Sequence, residues 1–252
     1  TIISAFFLFD NLYIKICKSN GDSINVCYTR LAKLKNSVSP CDKLGKIDDI
    51  YECYVEVAKD KKDASICEKI DTNKGNNWVI KKDLCYESVA VSSGKTSPCD
   101  DLESEYEKDT CYINVASEKE DESVCNSIES DSRKDICYVN VAKSKVDEQI
   151  CGFIVDSTQK NSCYIFVAPL KGDITICENI NEEDFKSTCE VRVAKKIGDA
   201  SICEQQIKTE WKDSCYSSLA IDQGDYSLCE RIEDNRDKEI CKNRIDLGEL
   251  GK

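Results

Sequence analysis

The chain has 252 residues, of which 33% are charged, with a net charge of −13 and no histidine. That balance excludes nucleic acid and anionic lipid as partners, since both are held by lysine and arginine neutralising phosphate. It favours solubility and a repulsion between copies that salt relieves.

Residues 1–16, TIISAFFLFDNLYIKI, form the most apolar stretch, interrupted by Asp10. They read either as the remnant of a targeting segment or as a helix or arm that must bury itself against something. The expected division is therefore an apolar N-terminal arm or helix over residues 1–14, followed by a single disulfide-rich solenoid over 15–252. The chain contains no methionine, so an initiator is expected to have been removed, alone or with a signal peptide. No apolar run reaches the ~18–20 residues that span a bilayer, and no membrane span is expected.

From residue 17 onward the chain is organised by eighteen cysteines: Cys17, Cys27, Cys41, Cys53, Cys67, Cys85, Cys99, Cys111, Cys125, Cys137, Cys151, Cys163, Cys177, Cys189, Cys203, Cys215, Cys229 and Cys241. Their gaps alternate between 12 and 14, apart from one gap of 10 and one of 18. The result is a period of 26 residues written nine times, the signature of a repeat array. An even and high cysteine count suits a disulfide framework in an oxidising setting, outside the cell or at its surface.

The first half of each repeat reads Asp-x-Ser-Ile-Cys-Glu-x-x-Ile. Ser or Thr stands two residues before the cysteine in seven repeats, as Ser39, Ser65, Ser97, Ser123, Thr175, Ser201 and Ser227. Six repeats carry an acid just after it: Asp42, Glu68, Asp100, Glu178, Glu204 and Glu230. Ser-x-x-Glu is a capping box, and Pro40 and Pro98 fall at the first helical position, where proline is tolerated. This predicts a short helix A starting one residue before its cysteine; in the repeat at 199–224 it ends near Ile207. The second half reads Lys-Asp-x-Cys-Tyr-x-x-Val-Ala. An aliphatic residue lies four after the cysteine in all nine repeats: Leu31, Val57, Val89, Val115, Val141, Val167, Val193, Leu219 and Ile245. That spacing puts both on one helical face. It predicts a helix B of about three turns, ending at a glycine such as Gly94, Gly172, Gly198 or Gly224. No segment alternates as a strand would. The predicted fold is all-α: a right-handed α-solenoid of about nine helix-turn-helix repeats, each too small to bury its apolar face alone.

Two disulfide registers respect the repeat. One links helix A to helix B across the gap of twelve, pairing 17–27, 41–53, 67–85, 99–111, 125–137, 151–163, 177–189, 203–215 and 229–241. The other links helix B to the next helix A across the gap of fourteen and leaves Cys17 and Cys241 free. With the A–B turn near residues 208–210, Cys203 and Cys215 are each about five residues from it and face one another in an antiparallel hairpin. Across the other joint, Cys215 and Cys229 are mismatched by about five residues, or about 7.5 Å along a helix, which strains the reach of a disulfide. Both irregular gaps fall inside the A–B segment, where a loop within a ring can change length. These points favour the register within each repeat.

Little in the sequence asks for chemistry. The missing histidine removes the Ser-His-Asp and Cys-His arrangements and the commonest proton shuttle near neutral pH. No Cys-x-x-Cys is present, and structural zinc sites need close-spaced ligand pairs. Asp48-Asp49 and Asp100-Asp101 lack the alternating spacing of a calcium loop. No pair of carboxylates stands out as a glycosidase pair. No catalytic, cofactor-binding or metal-ligating residue is expected, and the chain does not read as an enzyme. The tyrosine after the second cysteine recurs in seven repeats, as Tyr28, Tyr54, Tyr86, Tyr112, Tyr138, Tyr164 and Tyr216. Such a stripe either packs between repeats with a wet hydroxyl or lines a peptide groove. The insertion at 71–82 places Trp78 on a loop as a candidate anchor. The repeat from Cys151 loses its Ser cap and carries Gly152, Phe153, Phe166 and Pro169, a candidate hinge or contact patch.

Helix-turn-helix units in series resemble the tetratricopeptide and Sel1-like class of α-solenoids. The likeness covers nearly the whole chain as architecture only, since the repeats are shorter than 34 residues and lack the Trp-Leu-Gly-Tyr pattern. It implies protein–protein interaction rather than catalysis. Phe6, Phe7, Phe9 and Leu12 near one end and Leu247 and Leu250 near the other are the candidate interface residues. Terminal repeats of a soluble solenoid need polar outer faces, so these residues point to copies joining head to tail. The expected function is therefore a structural subunit of an extracellular filament, tube or surface layer, with itself as partner. The alternative is a secreted monomeric solenoid that binds a protein or peptide on its acidic or Tyr-lined face.

Overall fold

Every repeat is built around one long helix, and the sequence shows why it forms where it does. The second cysteine, the aliphatic residue four later and the alanine after that lie on one face. All three are buried in repeats as far apart as Cys27, Leu31, Ala32 and Cys215, Leu219, Ala220. The computed structural model describes residues 2–71 and 76–248, with side chains from residue 9 to 71 and from 79 to 248. Among the described residues all regular structure is helical. The chain divides into two compact parts, 1–119 and 120–252.

The first part opens with α1 (Ile2–Ser19) and α2 (Ile24–Lys35). α1 runs unbroken through residues 14 and 15 and carries Cys17 in its last turn. Asp10, the acid that interrupts the apolar run, is buried and pairs with Lys35 at the end of α2, with Lys43 at 3.9 Å. Repeats 2 to 4 follow with long helices α3 (Ile47–Lys61), α4 (Asn76–Ser93) and α6 (Glu105–Lys119), the single-turn helix α5 (Ser97–Asp100) standing before α6. The second part holds repeats 5 to 9 on α7 (Asp131–Lys145), α8 (Ser157–Lys171), α9 (Glu183–Ile197), α11 (Thr209–Gln223) and α13 (Asn235–Asp246). The single-turn helices α10 (Ser201–Glu204) and α12 (Tyr226–Cys229) precede the last two. Within each part consecutive long helices pack on one another, and each short turn that lies between two of them packs on both.

The predicted helix A is corrected by the structure. After the first repeat, the segment holding the first cysteine is one or two turns of 3₁₀ or α-helix, such as Cys41–Lys43, Ala64–Lys69 or Ile174–Asn179. Helix B takes the released length and is typically 15 residues, four turns rather than three. The physical reason is nucleation: a run this short holds no helix unaided, so it keeps only the turn that a cap and a disulfide can fix. Repeat 1 alone is a true helical hairpin, which accounts for its gap of ten. The gap of eighteen reflects α4 starting nine residues before Cys85, and Trp78 lies in that helix, not on a loop.

The predicted capping box is also corrected. In six repeats the cap is the aspartate four before the first cysteine, not the serine two before it. Asp63, Asp121, Asp147, Asp173 and Asp225 each accept from the amide two residues on, at 2.8–3.0 Å. Ser65, Ser123 and Thr175 donate their hydroxyls to the same carboxylates. The repeat from Cys151 therefore keeps its cap, because Asp147 receives the Gln149 amide as the others receive serine or threonine. Each cap follows directly on a helix end. The residue before it is left-handed, at Gly172 and Gly224 as the sequence predicts and equally at Lys62 and Val146, with φ of 53° and 52°. The capping aspartate then donates its own amide to the buried alanine carbonyl of the helix just ended, as Asp63 does to Ala58 and Asp173 to Ala168.

Candidate functional site

The eighteen cysteines form nine bridges, 17–27, 41–53, 67–85, 99–111, 125–137, 151–163, 177–189, 203–215 and 229–241, with Cα separations of 5.4–5.8 Å and no free thiol. The bridged cysteines are buried, and nine bridges suit an oxidising, extracellular-type compartment. Among the described residues no group of three or more His, Cys, Asp or Glu is placed to hold a metal ion, and no helix is long and apolar enough to cross a membrane.

A second, polar link runs beside the disulfide. The tyrosine after the second cysteine donates its hydroxyl to the residue after the first cysteine: Tyr54 to Asp42, Tyr86 to Glu68, Tyr112 to Asp100, Tyr216 to Glu204, and Tyr138 to Asn126 at 3.1 Å. In repeat 9 the same two positions form an ion pair, Lys242 to Glu230 at 2.7 Å. Burial first, and then the bonded carboxylate, push the phenols of Tyr54, Tyr86 and Tyr112 well above their ordinary range. The acids respond in the opposite sense. Glu68 is held below the usual carboxylate range by Lys82 and Tyr86. Five of the seven tyrosines, Tyr86, Tyr112, Tyr138, Tyr164 and Tyr216, are buried, while Tyr28 and Tyr54 are half-buried and Tyr54 borders an open surface pocket.

A third polar position ties several of the long helices to the next repeat. It lies two residues before the second cysteine. Asp135 accepts the amides of Val155 and Asp156 at 3.0 and 2.9 Å, and Asp213 accepts those of Glu233 and Asp234 at 2.8 and 3.0 Å. Asn161 reaches Glu182 at 3.0 Å from the same position. At Asp83 the next repeat presents carboxylates instead. Partial burial, then Glu107 and Glu103, raise its carboxyl to about 6.

At the joint of repeats 7 and 8 the disulfides are kept but both polar patterns change. Glu190 stands where tyrosine normally does, so Glu178 and Glu190 occupy the paired positions with like charges. Ser187 replaces the aspartate two before the cysteine, and Gln206 replaces the buried aliphatic residue found at Ile128, Ile154, Ile180 and Ile232. Gln206 is itself buried, accepts from the Ser187 hydroxyl at 2.5 Å and donates to Glu190 at 2.8 Å. Beside them lies an open notch of about 300 Å³ lined by Ile174, Glu178, Glu183, Lys186, Glu190, Ile207 and Trp211, among others. Sequence reasoning singled out Trp78 and passed over Trp211. The readable signal was a glutamate at 190, where seven repeats carry Tyr and the ninth carries Lys242.

Of the expected interface residues, Phe9 is 53% exposed, Leu12 57% and Leu247 77%. Ile16, at 52%, extends the first pair, and spacings of three and four put Phe9, Leu12 and Ile16 on one stripe of α1. The side chains of Phe6, Phe7 and Trp78, and all of Leu250, lie outside the described residues. No family model, curated protein or solved structure matches this chain. The resemblance to tetratricopeptide and Sel1-like solenoids accordingly stays one of architecture.

Proposed function

We propose that the chain is a structural repeat protein of the extracellular space, a subunit of a filament, tube or surface layer that joins copies of itself. The observation that carries this reading is the uncovered apolar stripe Phe9, Leu12, Ile16 on α1. Its helix is held against α2 and the second repeat by buried Asp10, so the stripe is a fixed surface of a folded repeat. A second exposed apolar surface, Ile240 and Leu247, lies at α13 and beyond it. Contact between two unlike surfaces is heterologous, and such contacts propagate unless the rotation closes a ring. The bridges suit a polymer that works in oxidising surroundings. At a net charge of −13, raised salt should promote association by screening repulsion between copies.

The test is size-exclusion chromatography with light scattering, followed by electron microscopy, on the wild type and on the double variant Leu12→Glu, Ile16→Glu. The expected result is concentration- and salt-dependent growth of the wild type, with the variant monomeric and unchanged in circular dichroism. A wild type that stays a monodisperse monomer at every concentration and salt level sinks the proposal. A second reading, a secreted solenoid that binds a partner, is favoured by one observation, the notch at the joint of repeats 7 and 8.

A further inference from the structure

In six repeats the two positions just after the cysteines carry complementary polar side chains that bond one another. Tyrosine meets a carboxylate in repeats 2, 3, 4 and 8, tyrosine meets Asn126 in repeat 5, and lysine meets Glu230 in repeat 9. Repeat 7 alone sets a carboxylate, Glu190, against a carboxylate, Glu178. The smaller glutamate also leaves the space that a tyrosine ring fills elsewhere. The remaining notch has an aromatic wall in Trp211, apolar flanks in Ile174 and Ile207, and three carboxylates, Glu178, Glu183 and Glu190. Lys186 is the one cation in that lining. From the equivalent position Lys82, Lys212 and Lys238 reach the acid of their own repeats at 2.7, 2.8 and 3.9 Å. No ion pair joins Lys186 to Glu178 among the described residues, so the lining keeps an excess of negative charge.

The geometry points to a ligand, and we infer its class: a primary ammonium or guanidinium at the end of an aliphatic stem. The cation would lie between Glu178 and Glu190 with its stem along Trp211 and Ile207. Three features support this. Carboxylates bind such groups through charge-assisted hydrogen bonds, bidentate in the case of a guanidinium. An indole face attracts a cation, and this one already does, with the Lys208 ammonium 3.9 Å from the Trp211 centroid. Glu190 is aimed rather than loose, because buried Gln206 holds one of its oxygens at 2.8 Å and is itself fixed by Ser187. A buried glutamine in place of isoleucine removes apolar packing from the joint, and what it supports is the orientation of Glu190. The same chemistry occurs on lysine or arginine side chains of a protein and on free polyamines. This inference rests on the second reading above. Its test measures binding alone, so its failure leaves assembly through α1 untouched.

The experiment titrates the full chain with N-acetyl-arginine amide, N-acetyl-lysine amide, spermidine and, as the uncharged control, N-acetyl-citrulline amide. Binding is followed at the indole N–H cross-peak of Trp211 in nuclear magnetic resonance spectra, assigned by its loss in Trp211→Phe. Saturable binding with a dissociation constant on the order of a millimolar is expected for a small cation. It should weaken with salt, and citrulline should not bind. Response to the blocked amino acids identifies a protein side chain as the source, and response to spermidine alone identifies a polyamine. Glu190→Tyr restores the pattern of the other repeats and fills the notch, so it should fold normally and bind at least about tenfold more weakly. Glu178→Gln should weaken binding without filling the notch, and Lys186→Gln should strengthen it. Equal binding of citrulline, unchanged affinity in folded Glu190→Tyr, or no saturable response to any of the cations overturns the inference.

Discussion

A phenol bonded to a carboxylate recurs through this protein in the same relation to the same disulfide, so the two links act on one short turn. The disulfide fixes the turn's distance from the long helix, and the hydroxyl fixes its rotation. Tyr112→Phe isolates the second effect. Its ring is buried and its hydroxyl bonds Asp100, so the variant keeps the packing and loses one hydrogen bond to a charged acceptor. A loss of about 1 kcal/mol is expected, read as a lowered urea midpoint with the slope unchanged. At this scale the sequence was legible in part. The acid after the cysteine was seen, but Ser-x-x-Glu is also the text of a capping box. Only the fold shows that the aspartate two residues before the serine has already taken the amide, freeing the glutamate for tyrosine. The clue was a correlation at a distance of twelve: where Tyr gives way to Lys242, the acid Glu230 remains and becomes its ion-pair partner.

The long helix is the unit that is joined to its neighbour, and the residue two before its cysteine makes the joint. Where this is Asp135 or Asp213 it accepts two amides of the following repeat. Asp83 meets Glu103 and Glu107 instead, and Lys82 next to it works weakly against them. Its folded carboxyl, pushed up to about 6 from an ordinary 3.8, holds its proton more tightly than the unfolded chain does. The stability it contributes is present below about pH 4 and lost as pH rises through about 6. Asp83→Asn should therefore be more stable than the wild type near pH 8, by up to about 1 kcal/mol after solvent screening. The difference should vanish near pH 4, as thermal melts across that range would show; a difference independent of pH would exclude the carboxyl cluster as its cause. Glu68, Glu122 and Glu148 run the other way, since lysine partners lower them and their contribution is lost as pH falls. The invariant gap of fourteen announced a packed joint in the sequence. Which residue made it was hidden, because aspartate looks alike on a solvated face and over a pair of amides.

Across the molecule, stability is distributed among rings that each close within one repeat. Replacing Cys151 and Cys163 together by alanine should cost about 3 kcal/mol in the chain-entropy model. The loss should be felt mainly in that repeat and its neighbours, as expected of a chain whose repeats contact only those beside them. Hydrogen exchange followed by mass spectrometry should show protection lost around 147–171 and retained near Cys27 and Cys241. Uniform loss along the chain would mean that the repeats unfold as one. The period of 26, the helical class and the burial of the aliphatic residue four after each second cysteine were all plain in the sequence, because cysteine spacing and helical periodicity are local signals. The length of helix A was not, since one or two turns held by a bridge and a cap leave the same apolar spacing as the start of a longer helix.

The closure of every bridge within its own repeat sets how the chain bears a load. Pulled from both sides, the oxidised chain cannot release the residues inside its nine loops. Between Cys17 and Cys241 only the fourteen-residue links from one bridge to the next can straighten, each to no more than about 50 Å at ~3.5 Å per residue. A strand of such molecules would stretch to a fixed limit and stop, and that limit would move outward only in the presence of a reductant.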